Sequence, residues 1–263
     1  MANKYLARDD APFESKIWDL LDEAMTEAAK SQLVGRRLLN VEGPFGLGLK
    51  AVPLQDVEDD SGFITSEVLP VVLIQKFFEL NTRDLASYER EGVALDTCPI
   101  SEAALDIARR EDQLIFSGGP QVPGLLSVEG SSEMNLLAWD EVGAAANDVI
   151  QAITNLDDAG FHGPYALALA PERYNLLFRL YPQGKQSELD HLRMMITEGI
   201  FKTPALDSGG ILLASTANCA SIVLGQDMSL GYVGPAGDKQ EFTISESLTL
   251  RIRQPSAICV LKE

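Results

Sequence analysis

Residues 34–48 read VGRRLLNVEGPFGLG, and this stretch fits two very different kinds of protein. Two arginines and an alternation of apolar and polar residues lead into three glycines and a proline within six positions. Such a segment is either a loop that wraps the phosphates of a ligand or a joint at which an extended arm leaves a domain. The sequence on both sides of the stretch helps to decide between them.

The flanking segments predict a helix before the stretch and two strands after it. An amphipathic helix over residues 14–33 is predicted by apolar residues at helical spacing, and we expect it to end at Gly35. These residues are Ile17, Leu20, Leu21, Ala24, Ala28 and Leu33. Residues 43–80 predict two strand-like arms around an acidic tip at Asp59 and Asp60. Few ordinary hairpins have arms this long.

The glycine spacing itself is poor evidence for a phosphate site. GPFGLGLK gives the pattern GxxGxG, whereas dinucleotide loops use GxGxxG and nucleotide triphosphate loops use GxxxxGK followed by Ser or Thr. Those loops also need a helix directly after the glycines, because its N-terminal N–H groups hold the phosphate. Neither requirement is met, so we expect no cofactor.

The composition is that of a globular protein with an unusual charge. Of 263 residues, 46% are hydrophobic, and 39 acidic against 21 basic residues give a formal charge of −18. A surface of this sign repels nucleic acid and anionic membranes, so we expect neither as a partner. The chain has no apolar signal segment and no run near the roughly 20 apolar residues that span a bilayer. Three cysteines without CxxC spacing favour a reducing compartment, and we expect a cytosolic protein.

The middle of the chain predicts further helices. One has Ser101 as its N-cap and stops at Gly118 and Gly119. A short one is opened by Ser187 with Asp190 three residues later, a variant capping box. Another, within residues 140–160, carries apolar residues on one face: Val142, Ala145, Ala146, Val149, Ile150 and Ile153.

The last third of the chain predicts strands. GILLAS, SIVLGQ and AICVLK are short apolar runs, and FTISESLTLRIR alternates apolar with polar residues. We expect one face of the last strand to be buried through its apolar residues, Phe242, Ile244, Leu248, Leu250 and Ile252. Helices and strands follow one another without regular βαβ alternation, so the predicted fold class is α+β.

No arrangement of residues predicts catalysis. His162 lies in a turn and His191 on a helix, and we expect both to be ordinary polar side chains. Four acids stand at positions one, three, five and twelve of an EF-hand count: Asp56, Glu58, Asp60 and Glu67. Ser61 occupies the position that needs glycine, and strands flank the segment. We therefore interpret it as a solvated loop tip and expect no metal.

Several segments, in this order and spacing, resemble one family. They are GRRLLNVEGPFG, LPVVLIQKFFEL, EDQLIFSG with GLLS, GPYALAL, KTPAL and LGQDMSLGY. Together they resemble the encapsulin shell proteins over nearly the whole chain. The resemblance implies the fold of tailed-phage (HK97-type) major capsid proteins, with a peripheral domain, an axial domain and an extended loop. On this likeness, NVEGPFG is the hinge at which the arm leaves the peripheral domain.

The resemblance also implies a division of the chain. Residues 1–43 would form the N-terminal helix and the start of the peripheral domain, and residues 44–70 the extended loop. Residues 71–131 would be the peripheral domain with its spine helix, and residues 132–225 the axial domain. Residues 226–263 would return to the peripheral domain as its last strands.

The implied function is containment of a cargo enzyme. Family members assemble into an icosahedral nanocompartment in the bacterial cytoplasm, of about 60 copies in the simplest closed form. The usual cargo is a ferritin-like iron-storage protein or a dye-decolourising peroxidase, which implies iron storage or oxidative-stress defence. A C-terminal targeting peptide of the cargo docks between the N-terminal helix and the peripheral-domain sheet. The matching positions here are Leu33, Arg36, Asn40, Ile244, Leu248 and Leu250.

Two further features follow from the resemblance. YPQGKQSE matches the family's loop at the five-fold axis, which makes Gln183, Gly184, Lys185 and Gln186 candidate pore-lining residues. A ring of lysines there would attract anions. Some members bind a flavin at an exposed aromatic residue after the strand that corresponds to FFEL. Arg83 lies in that stretch here, so we expect no flavin.

Two alternatives stay open at the level of sequence. The chain would have the same fold as a phage or prophage capsid protein that packages DNA. Its acidic charge and the absence of a long removable N-terminal scaffold argue against that role. A soluble peptidase-like enzyme is the second alternative, but no nucleophile and base are recognisable in the sequence.

Overall fold

The fold is described from a computed structural model, over residues 4–182 and 184–263. The chain divides into two compact units. The first contains the segment that ends at Leu33, together with Gly43–Glu111 and Leu224–Thr249. The second contains Val34–Glu42, Asp112–Val223 and Leu250–Glu263. The five-part division taken from the family resemblance stays a prediction.

The α-helices and strands alternate irregularly along the chain, and the predicted α+β class is confirmed. The helices are α1 Ser15–Gln32, α2 Gly35–Leu38, α3 Thr82–Glu91, α4 Cys98–Ser117, α5 Ala144–Asp158, α6 Pro171–Leu176 and α7 Glu188–Leu192. The strands are β1 Asn40–Glu42, β2 Ala51–Glu58, β3 Ile64–Pro70, β4 Val72–Asn81, β5 Gly118–Gly119, β6 Val122–Pro123, β7 Ser132–Asn135, β8 Tyr165–Leu169, β9 Gly199–Lys202, β10 Gly210–Ala214, β11 Ala220–Ala236, β12 Lys239–Ile252 and β13 Ile258–Lys262. Short 3-10 turns occupy Lys4–Leu6, Arg8–Asp10 and Pro255–Ala257.

The first unit packs α1 against a sheet through aromatic side chains. β12 pairs antiparallel with β4, from Lys239 opposite Asn81 to Leu248 opposite Val72. Phe242 lies at the centre of the packing, because its ring stacks on Phe78 at 5.3 Å and meets Trp18 of α1 edge-on at 5.9 Å. Such ring pairs add about 1 kcal/mol each to the burial of their apolar area. The predicted helix over residues 14–33 is confirmed, and Ile17, Leu21 and Leu33 of its predicted apolar face are buried. The prediction is wrong for Leu20, Ala24 and Ala28, which are only half-buried, because the buried side is completed by Trp18, Met25 and Ala29.

Gly35 does not end α1 as predicted, because it opens the separate turn α2. α1 already ends at Gln32, and Leu33 is extended at its C-cap. A Cβ atom at residue 35 would collide with Cδ1 of Ile115. The glycine is therefore required for close packing against α4 rather than for a left-handed backbone.

The helix predicted with Ser101 as its N-cap begins four residues earlier than expected. α4 starts at Cys98, whose N–H donates to the carboxylate of Asp96 at 2.9 Å, and Ser101 lies inside the helix. Asp96 precedes the helix and takes up an N–H that the first turn leaves without a partner. The predicted stop is confirmed, since the helix ends at Ser117 and Gly118 follows with a positive φ of 86°.

The second unit is built on a five-stranded sheet in the order β7-β13-β10-β8-β9. Every residue of β8 and β10 is buried, and for β10 this fits the predicted apolar run GILLAS. α5 packs the buried residues Ala145, Val149 and Ala152 into the core of this unit. The prediction for Ile150 is wrong, because its side chain is 43% exposed. The buried side of the helix is completed by Asp148 instead.

The alternation in β12 is only partly as predicted. Phe242, Ile244, Leu248 and Leu250 are buried, but Ile252 is only half-buried. The polar positions from Ser245 to Thr249 are buried as well, so the strand is covered on both faces there. Ser247 shows how one polar group is satisfied, since its Oγ accepts a hydrogen bond from the N–H of Gln226 at 2.8 Å.

We predict that Gly118→Ala destabilises the protein more than Gly92→Ala. Both glycines follow a helix with positive φ, 86° and 68°, so each alanine incurs a backbone cost of about 1–2 kcal/mol. At Gly118 the new methyl would also lie 2.6 Å from the N atom of Gly124, whereas Gly92 faces open space. Overpacking adds roughly 1–3 kcal/mol. Thermal unfolding by calorimetry measures the difference, and equal melting temperatures would contradict this account of the turn.

Candidate functional site

The predicted arms are shorter than expected, because Val72–Asn81 forms β4, which pairs with β12, and only β2 and β3 form the hairpin. This hairpin is exposed on both faces. β2 and β3 pair antiparallel from Ala51 opposite Pro70 to Glu58 opposite Ile64, with an irregularity between Pro53 and Asp56. Only Val52 and Leu69, at the base, are buried. Apolar side chains beyond the base are 40–70% exposed: Leu54, Val57, Phe63, Ile64 and Val68. This hairpin, residues 51–70, is called the arm below.

The acidic tip of the arm holds its own turn. The Asp59 carboxylate accepts hydrogen bonds from the N–H groups of Ser61 at 2.8 Å and Phe63 at 2.9 Å. Asp56, the first position of the EF-hand count, accepts a hydrogen bond from the Ser66 hydroxyl at 2.6 Å. These carboxylates therefore serve the turn and the strand pair. Across the two described ranges, no group of three or more His, Cys, Asp or Glu residues is placed to hold a metal ion.

The glycine-rich stretch between β1 and the arm runs alongside a strand. The N–H of Phe45 donates to the carbonyl of Leu224 at 3.0 Å, and the N–H of Gly46 donates to the carbonyl of Gly225 at 2.5 Å. Gly43 has a φ of 108°, and a Cβ there would lie 2.6 Å from the Leu224 carbonyl oxygen. Since N–H groups of this stretch are bonded to β11, they are not available to a phosphate. The geometry fits a hinge.

The residues predicted to bind the cargo peptide differ in exposure. In the first unit, Leu33 packs with Ala29, Ala108 and Met228, and Ile244 and Leu248 lie on β12 with no exposed surface. In the second unit, Leu250 is also buried. Arg36 on α2 is partly exposed, and Asn40 is exposed at the start of β1, opposite Ser221. The two polar residues are therefore the members of the set that a ligand can reach in this conformation.

The predicted pore loop is a hairpin tip between α6 and α7. Leu180 and Ser187 form a bridge, and the N–H of Tyr181 donates to the carbonyl of Gln186 at 3.1 Å. Gly184, Lys185 and Gln186 are exposed at the tip, as lining residues must be. Gln183 lies outside the described residues.

The base of this loop is held by a buried ion pair that sequence reasoning missed. Arg179 donates to Glu188 at 3.1 Å, and Glu188 has no exposed surface. The other oxygen of Glu188 accepts the N–H of Gly143 at 2.6 Å, and Arg179 also donates to the carbonyl of Trp139. The two residues flank the YPQGKQS segment in sequence. Nothing in their spacing distinguishes them from surface charges.

Ser187 and Asp190 form the predicted capping box. The Ser187 hydroxyl oxygen accepts the N–H of Asp190 at 3.1 Å, and the Asp190 carboxylate accepts the N–H of Ser187 at 3.2 Å. Hydrogen bonds from Ser187 hold the pKa of the Asp190 carboxyl below its usual value. At the other end of the loop, the Tyr181 hydroxyl hydrogen-bonds His191 of α7 at 2.9 Å. Burial raises the pKa of the Tyr181 phenol. α7 is therefore fixed to both ends of the loop.

His162, a candidate for catalysis at the level of sequence, contacts an acidic side chain. His162 is exposed, with Nδ1 at 3.1 Å from the Asp157 carboxylate. Asp157 also accepts a hydrogen bond from the Tyr165 hydroxyl at 2.5 Å, which is the main cause of its lowered pKa. Arg83, in the stretch where the resemblance implied a flavin for some members, is exposed on α3. Within the described ranges, every helix is too short or too polar to cross a bilayer.

The chain is similar in sequence to known shell proteins. The family model described as "Encapsulating protein for peroxidase" matches residues 3–249. The type 1 encapsulin shell protein EncA of Myxococcus xanthus is 27% identical, over 98% of this chain and 96% of that protein. A ferritin-like-encapsulin shell fusion protein of Pyrococcus furiosus is 30% identical, over 78% of this chain and 56% of the fusion.

Solved structures give the same fold. The crystal structure of a virus-like particle from Pyrococcus furiosus superposes with a TM-score of 0.77 at 26% identity, covering 94% of this chain and 99% of that one. The capsid of Myoviridae phage XM1 superposes with a TM-score of 0.61 at 15% identity, covering 86% and 90%. The phage likeness concerns the fold alone. The predicted HK97-type capsid fold is confirmed.

We predict that Glu188→Ala destabilises the protein and loosens the pore loop. The substitution removes the acceptor of the Gly143 N–H and leaves the Arg179 guanidinium without its carboxylate. Because the Arg179 side chain is 25% exposed, the cost lies below the roughly 3–5 kcal/mol of a fully buried ion pair. Hydrogen exchange of the Tyr181 and Gly184 amides should accelerate. The matched control is Glu198→Ala, an exposed acid of the same unit, and equal effects of both variants would contradict the role of the pair.

Proposed function

Because the chain belongs to the encapsulin family of shell proteins, we propose that it encloses a cargo enzyme held by a C-terminal targeting peptide. The observation that carries the proposal is the family match over residues 3–249, which includes the whole arm. We infer a closed shell of about 60 copies, the smallest icosahedral assembly. The compartment would lie in the bacterial cytoplasm.

Self-assembly is the part of this function that the arm supports. A two-stranded hairpin on its own is marginally stable in water. Its exposed apolar residues stabilise the protein only when another surface covers them, at about 25 cal/mol per Å² of apolar area removed from water. Other copies of the chain are the covering surface that a homo-oligomeric shell supplies.

The class of the cargo enzyme is inferred from the names of the family and of one relative. The family description names a peroxidase, and one relative is a fusion with a ferritin-like protein. We propose that a separate enzyme of one of these two classes is the cargo and that the chemistry belongs to it rather than to the shell. Such a cargo would serve iron storage or defence against oxidative stress.

The loop of residues 181–187 would line a pore at the five-fold axis. Its exposed Lys185 adds one positive charge per subunit to a chain with a formal charge of −18. A ring of five lysines would raise the local concentration of anions at the opening. Small substrates of the cargo would enter there.

We predict that the double variant Phe63→Ser/Ile64→Ser abolishes or weakens shell formation. Both side chains are exposed on the arm, and burying one apolar side chain of this size is worth about 1.5–3 kcal/mol. Size-exclusion chromatography and electron microscopy measure the assembled fraction. Thr65→Ser is the matched control, because it removes only a methyl group from the same strand. Normal shells from the double variant would contradict the role of the arm.

We predict that Arg36→Ala weakens binding of the cargo peptide about ten-fold, which is 1.4 kcal/mol. Arg36 is partly exposed and can donate to peptide carbonyls. Leu248 is less suitable for this test, because it is fully buried and an acidic residue there would disrupt the core. The probe is the C-terminal segment of the enzyme that co-purifies with the shell, labelled for fluorescence anisotropy. Lys30→Ala, on the exposed side of α1, is the control. Unchanged affinity in Arg36→Ala would remove this residue from the site.

A further inference from the structure

Arg36 lies on a single helical turn that is not stable by itself. α2 spans only Gly35–Leu38, with the N–H of Leu38 bonded to the carbonyl of Val34 at 3.1 Å. The first turn of a helix fixes several backbone angles for one hydrogen bond, so an isolated turn is unfavourable in water. The orientation of Arg36 therefore depends on contacts from outside the turn.

The start of the turn is fixed by one buried carboxylate. Asp112 of α4 is 1% exposed, and its oxygens accept the N–H of Val34 at 3.2 and 3.0 Å and the N–H of Gly35 at 2.8 Å. These N–H groups lie at the beginning of a helix, where no carbonyl of the turn can reach them. A carboxylate also interacts favourably with the positive end of the turn's dipole.

Gly35 allows the turn to lie close enough to Asp112. A Cβ at residue 35 would meet Cδ1 of Ile115 and would lie 3.2 Å from Oδ1 of Asp112. A side chain at this position therefore pushes the turn away from the carboxylate unless Ile115 is shortened. Close packing and the hydrogen bonds depend on one another.

The end of the turn is fixed independently. The Ser215 hydroxyl donates to the carbonyl of Leu38 at 2.9 Å, and Leu38 has no exposed surface. The guanidinium of Arg37 lies 4.7 Å from the ring centre of Phe201. Arg37 is exposed beside this ring, and Arg36 next to it is half-buried.

We propose that Asp112 is a positioning residue for cargo capture. By holding the N–H groups of Val34 and Gly35, its carboxylate fixes α2 and presents Arg36 to the carbonyl groups of the cargo peptide in one orientation. A group held in its bound orientation before binding loses less conformational entropy when the peptide arrives. This inference rests on the proposed function, since it takes Arg36 as a peptide contact.

The test is a double-variant cycle on assembled shells. The probe is the labelled C-terminal segment of the co-purifying enzyme, and the variants are Asp112→Asn, Arg36→Ala and the two combined. We expect each single variant to bind about ten-fold more weakly. The double variant should bind no more weakly than Arg36→Ala, because Asp112 acts through that residue. If the two losses of peptide affinity multiply in the double variant, the inference is overturned. A general destabilisation by Asp112→Asn would weaken binding whether or not Arg36 is present.

Asp148→Asn is the matched control for a buried aspartate. Asp148 also accepts hydrogen bonds in the second unit, from the N–H of Leu137 at 2.9 Å and the indole of Trp139 at 2.8 Å. We expect Asp148→Asn to lower the melting temperature without changing peptide affinity. A loss of affinity equal to that of Asp112→Asn would assign the effect to stability and overturn the inference.

A second pair of variants tests the same geometry without altering the carboxylate. Gly35→Ala should weaken peptide binding, and adding Ile115→Val should restore it, because valine lacks the Cδ1 atom that the new methyl meets. Wild-type affinity in Gly35→Ala would overturn the inference. Arg36→Ala with unchanged affinity would overturn the peptide contact and the inference with it. A weaker Arg36→Ala beside a normal Asp112→Asn would overturn the inference alone.

Discussion

The arm of residues 51–70 is a pair of strands with solvent on both faces, and a pair of strands is marginally stable by itself in water. Its base is anchored by Val52 and Leu69, but apolar side chains from Leu54 to Val68 remain exposed along its length. The structure of one chain therefore contains an element whose stability depends on a surface outside that chain. A closed shell of identical copies would supply such a surface to every subunit at once.

Most acidic residues give the chain its large negative charge, but three buried ones stabilise turns of the backbone. Asp112, Asp148 and Glu188 are each at least nine-tenths buried, and each accepts backbone N–H groups where the chain turns. Such groups are costly to leave without a partner, so a carboxylate that satisfies them fixes the turn firmly. Two of these acids lie beside residues with proposed functions: Asp112 holds α2, which carries Arg36, and Glu188 follows the loop that carries Lys185.

The sequence was sufficient where local chemistry decides the structure. Helical spacing predicted α1, Gly118 predicted the end of α4, and Ser187 with Asp190 predicted a capping box that the structure contains. It was insufficient where distant segments decide. Gly35 looks like a helix stop, but its reason is the Ile115 side chain, far away in sequence. The polar residues of β12 look solvent-facing, yet segments on both faces bury them. Arg179 and Glu188 could not be told from surface charges for the same reason. The peptide site and the pore remain predictions.

The central claim is that this chain is the wall of a cargo compartment, and native purification followed by electron microscopy tests it most directly. The particles should be isolated from the original host, imaged, and analysed by mass spectrometry for bound proteins and by absorbance for nucleic acid. The account predicts uniform closed icosahedral particles that contain one enzyme of the peroxidase or ferritin-like class. Particles filled with DNA, or a protein that stays monomeric in the host extract, would contradict it.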